Sequence, residues 1–522
     1  ALPEQLLLEL DEKDEFPEEL VRGMLGDLGI LLLFIPEEYD GLGGGSFDVY
    51  RICEVMARID LGVATGVLAT FLGSDPIRVG GTDDQRAHWM SRLGEEGLVM
   101  AYGATEPEAG SDLGALTTTA EPVNDGGEIT GYRLNGVKQW ISNGGYADLY
   151  TILALAPDGP SWFVVERGTE GLGYGRPEDK HGIRASNTAQ VLLNDVFVPR
   201  EQLLGDSEGQ GLAQAQMVFG FTRLMVAAFG LGAGWEALDR AIAYSKDRIQ
   251  GGAPLCEKQG YTHKLIVPHV VRLAAAAAYI DEVAQRLDAG EQDLEVEGSI
   301  AKLFATESAN RAADDAMQAL GGYGYINEYG VEKIKRDVKI TCIYEGTSEI
   351  QQNIISTFRW KKTRKTKGEF YAGIADEMDR LESACSDAGG RYISLAARAL
   401  NQTIFLANDH RLTREQFIMF NLADMMMHVE VAASLARRAA SAARDGNADA
   451  EKTRVFSKLF ANEVAELLAN NILKILLGSG IFDPEKITSF LAETSLTALT
   501  ESYRSLVPCM DRAADIIFER TP

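Results

Sequence analysis

The sequence predicts an α+β multidomain fold: an N-terminal helical domain over residues 1–100, a β-barrel-like middle domain over 101–205, a four-helix bundle over 206–358, and an extra helical-bundle domain over 359–522. Three observations carry this reading. Residues 18–28, 47–60 and 83–93 place apolar side chains at three- and four-residue spacing, the period of an amphipathic helix. Segments 132–137, 150–156, 161–166 and 190–198 are short, rich in β-branched and aromatic residues, and punctuated by Gly, Asn, Asp and Pro, as strands are. Beyond Gly211 long Ala/Leu/Glu/Arg-rich stretches return over 212–250, 261–287, 296–320 and 349–358, which read as a bundle. Six basic residues in nine (Arg359, Lys361, Lys362, Arg364, Lys365 and Lys367) then mark a solvated linker before a last helical block from about 369 to 520. A phosphate or membrane contact is the alternative use of that run.

Length and charge bound the function. At roughly 100 to 200 residues per domain, 522 residues make three or four units with ample core. Lys and Arg number 50 against 77 Asp and Glu, a formal charge of −27 that repels a phosphate backbone and excludes a nucleic-acid partner. The longest apolar runs, 28–36 and 273–280, fall short of the roughly 18 residues a membrane span needs, so no transmembrane segment is expected. Five scattered cysteines without CxxC spacing point to a reducing compartment and to no disulfide framework or metal site. The chain starts at Ala1 without a charged-then-apolar leader, so any targeting peptide is expected to be absent already. The cytoplasm, or the mitochondrial matrix after removal of a transit peptide, is the expected location.

The last block echoes the bundle before it. A shift of 156 positions carries Lys302-Leu303-Phe304-Ala305 onto Lys458-Leu459-Phe460-Ala461 and pairs Glu307 with Glu463, Gly322 with Gly478, Gly324 with Gly480, Thr341 with Thr497 and Glu345 with Glu501. A fixed period held across several segments is the signature of duplication.

Four blocks could carry chemistry. Thr105-Glu106-Pro107-Glu108-Ala109-Gly110-Ser111-Asp112 leaves an apolar run ending in Tyr102-Gly103-Ala104, and the N–H groups and hydroxyls of such a loop can hold an anion or the polar edge of a heterocycle. Trp140-Ile141-Ser142-Asn143-Gly144-Gly145 sets an indole beside small donors, suited either to a core or to a planar cofactor. Gln318-Ala319-Leu320-Gly321-Gly322-Tyr323-Gly324 ends a helix with paired glycines that admit another group close to the backbone. Tyr344-Glu345-Gly346-Thr347-Ser348 places an acid after apolar residues, where burial would raise its pKa toward that of a general base; a helix N-cap is the plainer reading.

Together these blocks resemble the acyl-CoA dehydrogenase family of flavoproteins, in order and at matching spacing, over residues 15 to about 357. Phe221-Thr222-Arg223 opening a long helix, Lys246-Asp247-Arg248 near its end, Gln259, and Lys180-His181-Gly182-Ile183-Arg184-Ala185-Ser186 extend the match. The resemblance implies FAD as cofactor. Tyr102, Ala104 and Thr105 match the strand that hydrogen-bonds the flavin, and Gly110 and Ser111 match contacts to the pyrophosphate and to the substrate's pantetheine. Trp140, Ile141 and Ser142 match the wall beside the isoalloxazine. Arg248, Gln259, Gln318, Gly321 and Gly322 match positions that hold the adenosine and pyrophosphate end of the FAD bound to a neighbouring subunit. Thr347 and Glu349 match the remaining cofactor contacts, although Glu349 stands where Gln is frequent. Ser186, Arg223, Tyr344 and Gly346 match substrate-side positions, and Glu345 matches the catalytic base. FAD and CoA are polyanions, so the scarce cations Arg184, Arg223 and Arg248 are expected at the sites.

The implied reaction is α,β-dehydrogenation of a saturated acyl-CoA to a trans-2-enoyl-CoA in fatty acid β-oxidation, with electrons passed to an electron-transfer flavoprotein. An acyl-CoA oxidase that reduces dioxygen and a non-catalytic helical interaction protein are the alternatives. Dicarboxyl (glutaryl) members carry an Arg where this chain has Val63, which speaks against that substrate. The helix over 68–79 is expected to line the acyl pocket, with Ser74, Asp75 and Arg78 turned to solvent. In the second copy Gln318 becomes Lys474, Gly321 becomes Leu477 and Gly346 becomes Ser502, so Glu501 is expected to be structural and the extra bundle to cover the face where ordinary members pair dimers, giving a homodimer.

Overall fold

The structure, a computed structural model, describes residues 2–520, without the side chains of 219–221, and has two units. The first extends to Ala233 and includes Arg336–Thr341; the second holds Gly234–Lys335 and the chain from Cys342 on.

In the first unit six helices precede the sheet: α1 (Glu4–Lys13), α2 (Glu18–Leu25), α3 (Ile30–Phe34), α4 (Ser46–Ile59), α5 (Leu61–Gly80) and α6 (Asp83–Glu96). Asp60 ends α4 and caps α5 by accepting from the Val63 N–H at 2.9 Å, and Thr82 with Gln85 forms a capping box on α6. Helix α5 is apolar nearly all round because it is core. Strands β1 (Met100–Gly103), β2 (Thr119–Asp125), β3 (Glu128–Ser142), β4 (Leu149–Ala156), β5 (Gly159–Glu166), β6 (Leu172–Tyr174) and β7 (Thr188–Pro199) form one curled sheet. Its order is β1-β4-β2-β3-β7-β6, with β5 paired to β4. Its buried face is built from Tyr132, Leu134, Ile152, Phe163, Val191 and Val198.

Gly73 explains how α5 meets that sheet. A Cβ there would stand 2.6 Å from the Met100 Cβ, so only glycine lets the helix backbone press on β1, and the Thr151 hydroxyl bonds the Gly73 carbonyl at 2.9 Å. The polar residues expected to face solvent on this helix do not. Ser74 and Asp75 are buried: Ser74 donates to the Phe71 carbonyl (2.9 Å), and Asp75 pairs with Arg78 (2.7 Å), so each is satisfied within its own helix.

Helix α7 (Gly211–Asp247) starts in the first unit and ends in the second. It begins about three turns before Thr222 and Arg223, which therefore lie inside the helix rather than opening it. The second unit continues with α8 (Gln259–Leu265), α9 (Val267–Asp288), α10 (Glu295–Leu320), α11 (Val331–Val338) and α12 (Ser348–Lys365). The helix expected over 261–287 is two, because Pro268 lacks an N–H and takes the first turn of α9. The final block supplies α13 (Glu369–Ala384), α14 (Gly390–Asp409), α15 (Gln416–Arg444), α16 (Ala450–Gly478), α17 (Pro484–Glu493), α18 (Leu496–Thr500) and α19 (Leu506–Ile517). Shifted by 156 positions, α10 becomes 451–476, inside α16, and α9 becomes 423–444, inside α15. Helices α7 and α15 are long and apolar enough to span a membrane, which inspection for short apolar runs missed; both are mostly buried, as core helices are.

The basic run is not a linker. It forms the end of α12, and Arg359 is 3% exposed. Its guanidinium makes two 2.8 Å bonds to Glu430 on α15 and one of 2.9 Å to Glu297 on α10, while the Tyr371 hydroxyl of α13 donates to Glu430 at 3.0 Å. Arg272–Glu463 (2.7 Å), Arg437–Glu282 (2.8 Å) and Arg438–Asp281 add further ties from α9 to the final block. Removing one member of a buried ion cluster strands the others in a low dielectric. Arg359→Met is therefore expected to lower stability by about 3–5 kcal/mol, read as a shifted denaturant midpoint. Burial pushes the Glu297 carboxyl up, but Arg359 outweighs it and holds the group below its ordinary value of 4.5, so this stabilisation is complete above that pH and fades as pH falls below it.

Candidate active site

Strand β1 delivers Tyr102, half-buried, and the chain then turns through buried Ala104 and half-buried Thr105. Glu106 anchors the turn. It is 2% exposed, takes the Lys138 ammonium at 2.7 Å, and accepts from the Thr117 N–H (2.6 Å), the Thr117 hydroxyl (2.8 Å) and the Thr118 N–H (3.0 Å). Burial pushes this carboxyl up, yet Lys138 and the threonine donors overcome it and hold it at about 2. Burial also draws the Lys138 ammonium down to about 8 against the pull of Glu106, so both partners stay charged at neutral pH. Lys138 also donates to the Ala104 carbonyl (3.2 Å), and the Gln139 N–H donates to the Thr105 carbonyl (2.9 Å). Gly110 and Ser111 are exposed farther along the loop.

Immediately after Lys138 the β3–β7 register slips, and Trp140 takes φ 56° with 61% of its surface exposed. A bulge re-aims a side chain, and here it turns a large apolar residue outward beside buried Ile141 and half-buried Ser142. An outward indole leaves a flat apolar face open to a planar ligand. Ser186 is fully buried and its Oγ has no partner among the described residues; it lines a cavity of about 230 Å³ with Lys13, Phe16, Tyr146, Lys180 and Arg184. Arg223 is buried in α7. Arg184 was expected to meet a phosphate, yet it is spent on the carbonyls of Asp11 (2.8 Å) and Lys180 (3.0 Å) and on Asp179 (3.0 Å).

In the second unit Glu345, half-buried between half-buried Tyr344 and Gly346, adopts φ 54°. Left-handed backbone at a residue with a Cβ costs of order 1–3 kcal/mol and persists only where the surroundings impose it. They do so here: the Gly346 carbonyl accepts from the Lys302 ammonium (2.7 Å) and from Gln351 Nε2 (3.1 Å), which also bonds the Glu345 carbonyl (3.0 Å). Thr347 caps α12, as the N-cap reading expects, and Ser348 donates to Glu307 at 2.6 Å. Glu349 is exposed on the first turn of α12. Sequence reasoning did not assign roles to Lys302, Glu307 and Gln351, although Lys302 and Glu307 lie in the segment that repeats most closely.

A second cluster in the same unit gathers the positions matched to the adenosine end. Gly321 ends α10 at φ 61° and ψ −134°, a conformation open to glycine alone, and a Cβ on Gly321 or Gly322 would meet nothing within 4 Å. Gln318 and Arg248 are exposed, with the Arg248 guanidinium 6.0 Å from the centre of the Tyr323 ring. The Tyr261 hydroxyl donates to the Ala319 carbonyl (3.2 Å), which brings α8 and Gln259 against this turn. Bare backbone, two amides and one cation fit the adenosine and pyrophosphate end of a dinucleotide.

These arrangements agree with the comparisons. The acyl-CoA dehydrogenase N-terminal domain matches residues 4–96 and the middle domain residues 101–196, while the C-terminal domain matches twice, at 209–358 and 372–505. The chain is 38% identical over 357 residues (67% of this chain, 91% of the relative) to an acyl-CoA dehydrogenase of Bacillus subtilis. It is 39% identical over 352 residues (66% and 90%) to the short-chain specific acyl-CoA dehydrogenase of Megasphaera elsdenii. The crystal structure of an acyl-CoA dehydrogenase complexed with FAD from Bacillus anthracis superposes with a TM-score of 0.85 at 25% identity, covering 99% of this chain and 92% of that one. The chain belongs to the acyl-CoA dehydrogenase family, and is an oxidoreductase of that class.

Lys138→Met leaves Glu106 buried without its counter-ion and is expected to destabilise the protein by about 3–5 kcal/mol, measured by chemical denaturation. The Glu106 contribution is complete above its ordinary 4.5 and lost as pH falls toward about 2, so the gap between wild type and variant should close over that interval.

Proposed function

We propose that the protein is an FAD-dependent dehydrogenase of saturated acyl-CoA thioesters that forms the trans-2-enoyl-CoA and passes electrons to an electron-transfer flavoprotein. The observation that carries this reading is the Glu345 turn, a strained carboxylate position pinned by Lys302 and Gln351. When bound, FAD supplies the hydride acceptor for the β-hydrogen. Tyr102, Ala104, Thr105, Ser111, Trp140, Ile141 and Ser142 are the residues of the first unit that would hold it. The Glu345 carboxylate takes the α-proton, and its backbone N–H donates to the thioester oxygen, where charge develops as that proton leaves. A thioester α-proton is too weakly acidic for a carboxylate acting without such a donor. The 39% identity to a short-chain specific relative makes a short saturated acyl group the first substrate to test.

The final block is, in this reading, a worn second copy of the catalytic bundle. The double match of the C-terminal domain and the 156-residue correspondence of α9 with α15 and α10 with α16 support it. Glu501, the counterpart of Glu345, lies in a 3-10 turn and is paired with Arg391 (3.4 Å) and Arg504 (3.5 Å). The protein is proposed to act as a homodimer in which the exposed Gly321-Gly322 turn serves the partner's cofactor. The exposed Tyr323, Tyr325 and Tyr329 beside it support an interface there.

Three measurements test this. Glu345→Gln should abolish anaerobic bleaching of the flavin by acyl-CoA, at least 10³-fold in rate, while Glu501→Gln stays within twofold of wild type. Hydrogen peroxide released stoichiometrically with substrate would instead mark an oxidase. Light scattering should give twice the 56.8 kDa protomer mass.

A further inference from the structure

Helix α19 reaches back from the final block to the cofactor end of the first bundle. Asp511 on α19 accepts from Gln259 Nε2 at 2.8 Å, and its carboxylate lies 3.1 Å from His263 Nε2, so it ties to the first residue of α8. The helix that carries it is itself fixed. Arg512 makes two 2.9 Å bonds to Glu451 on α16, Cys509, Ala513 and Ala514 form a buried face, and just beyond the helix Arg520 donates to the Cys256 carbonyl (3.2 Å), three residues before α8.

We infer that Asp511 is a positioning residue for the cofactor: it orients the Gln259 amide toward the adenosine end of FAD. This rests on the assignment of Gln259 to that end. An ionised carboxylate has no proton to give, so the Gln259 NH₂ must face Asp511, and the amide oxygen is left to accept from the ligand. The adenine amino group and the ribose hydroxyls are donors that suit it. The relative of Bacillus subtilis has 91% of its length in a 357-residue match, which leaves too little chain for a counterpart of the final block that carries α19. The appended bundle thus contributes to cofactor retention although its own Glu501 site has decayed.

The test is the FAD dissociation constant of the full-length chain, titrated by flavin fluorescence after removal and return of FAD. D511A should raise it roughly three- to tenfold, the range of one hydrogen bond. D511N keeps an acceptor oxygen and should stay within twofold of wild type. Q259A should raise it at least as much as D511A, and D511A added to Q259A should change it less than twofold further. If D511A leaves the constant unchanged while Q259A raises it, or if the D511A effect persists in full without Gln259, or if D511N fails as D511A does, the positioning role is overturned. If Q259A itself has no effect, the assignment of Gln259 to FAD fails and the inference falls with it.

Discussion

The first unit depends on one buried ion pair. Lys138 and Glu106 lie on opposite sides of the place where the chain leaves β1, and both are withdrawn from water. Such a pair is stable only if nearly every lone pair and proton is used, and it is: Glu106 takes four donors, and Lys138 adds a bond to the Ala104 carbonyl. A well-packed apolar pair could match it in stability. It could not tie β1, the 105–112 loop and β3 at a single point, and that tie fixes both where the loop departs and where the bulge at Trp140 begins.

Three of the residues in left-handed backbone lie in segments matched to the site. Trp140 (φ 56°), Ile183 (φ 46°) and Glu345 (φ 54°) are large residues in left-handed backbone, which β-branched Ile183 in particular avoids. Each is held by groups nearby: the register slip at Trp140, the Asp337 carboxylate accepting from the Ile183 N–H at 2.5 Å, and the Lys302 and Gln351 bonds at Glu345. Pinning of this kind pre-organises a carboxylate, so little reorganisation remains for the moment of proton transfer.

Much of this was legible because periodicity and motif order are local. The helices over 46–59, 83–96 and 295–320 follow their spacing, and β3, β4, β5 and β7 follow their β-branched runs. Strand β2 escaped because Pro122, Asn124 and Asp125 carry the composition of a turn, while its pairing with β3 and β4 is a tertiary fact. Lys138 looked like any strand lysine, since nothing in sequence says that Glu106, 32 residues earlier, lies 2.7 Å away. The run from Arg359 read as solvated for the same reason: its carboxylate partners are 62 residues before and 71 after, and a linear scan sees only the charge.

The charge of −27 shapes the site more than its cations do. With so many carboxylates in the fold, arginines tend to be consumed by pairing: Arg184 by Asp179, Arg359 by Glu297 and Glu430, Arg272 by Glu463. Arg248 is exposed at the end proposed for the cofactor, over the face of Tyr323. A polyanionic ligand there must therefore be met largely by neutral donors. The structure offers the Gln318 amide and the backbone of the Gly321-Gly322 turn, where an added Cβ would meet nothing within 4 Å and a ligand can therefore come close. Asp511 stands beside that cluster with its charge intact, and the hydrogen bond that it accepts from the Gln259 NH₂ uses that charge to aim one amide.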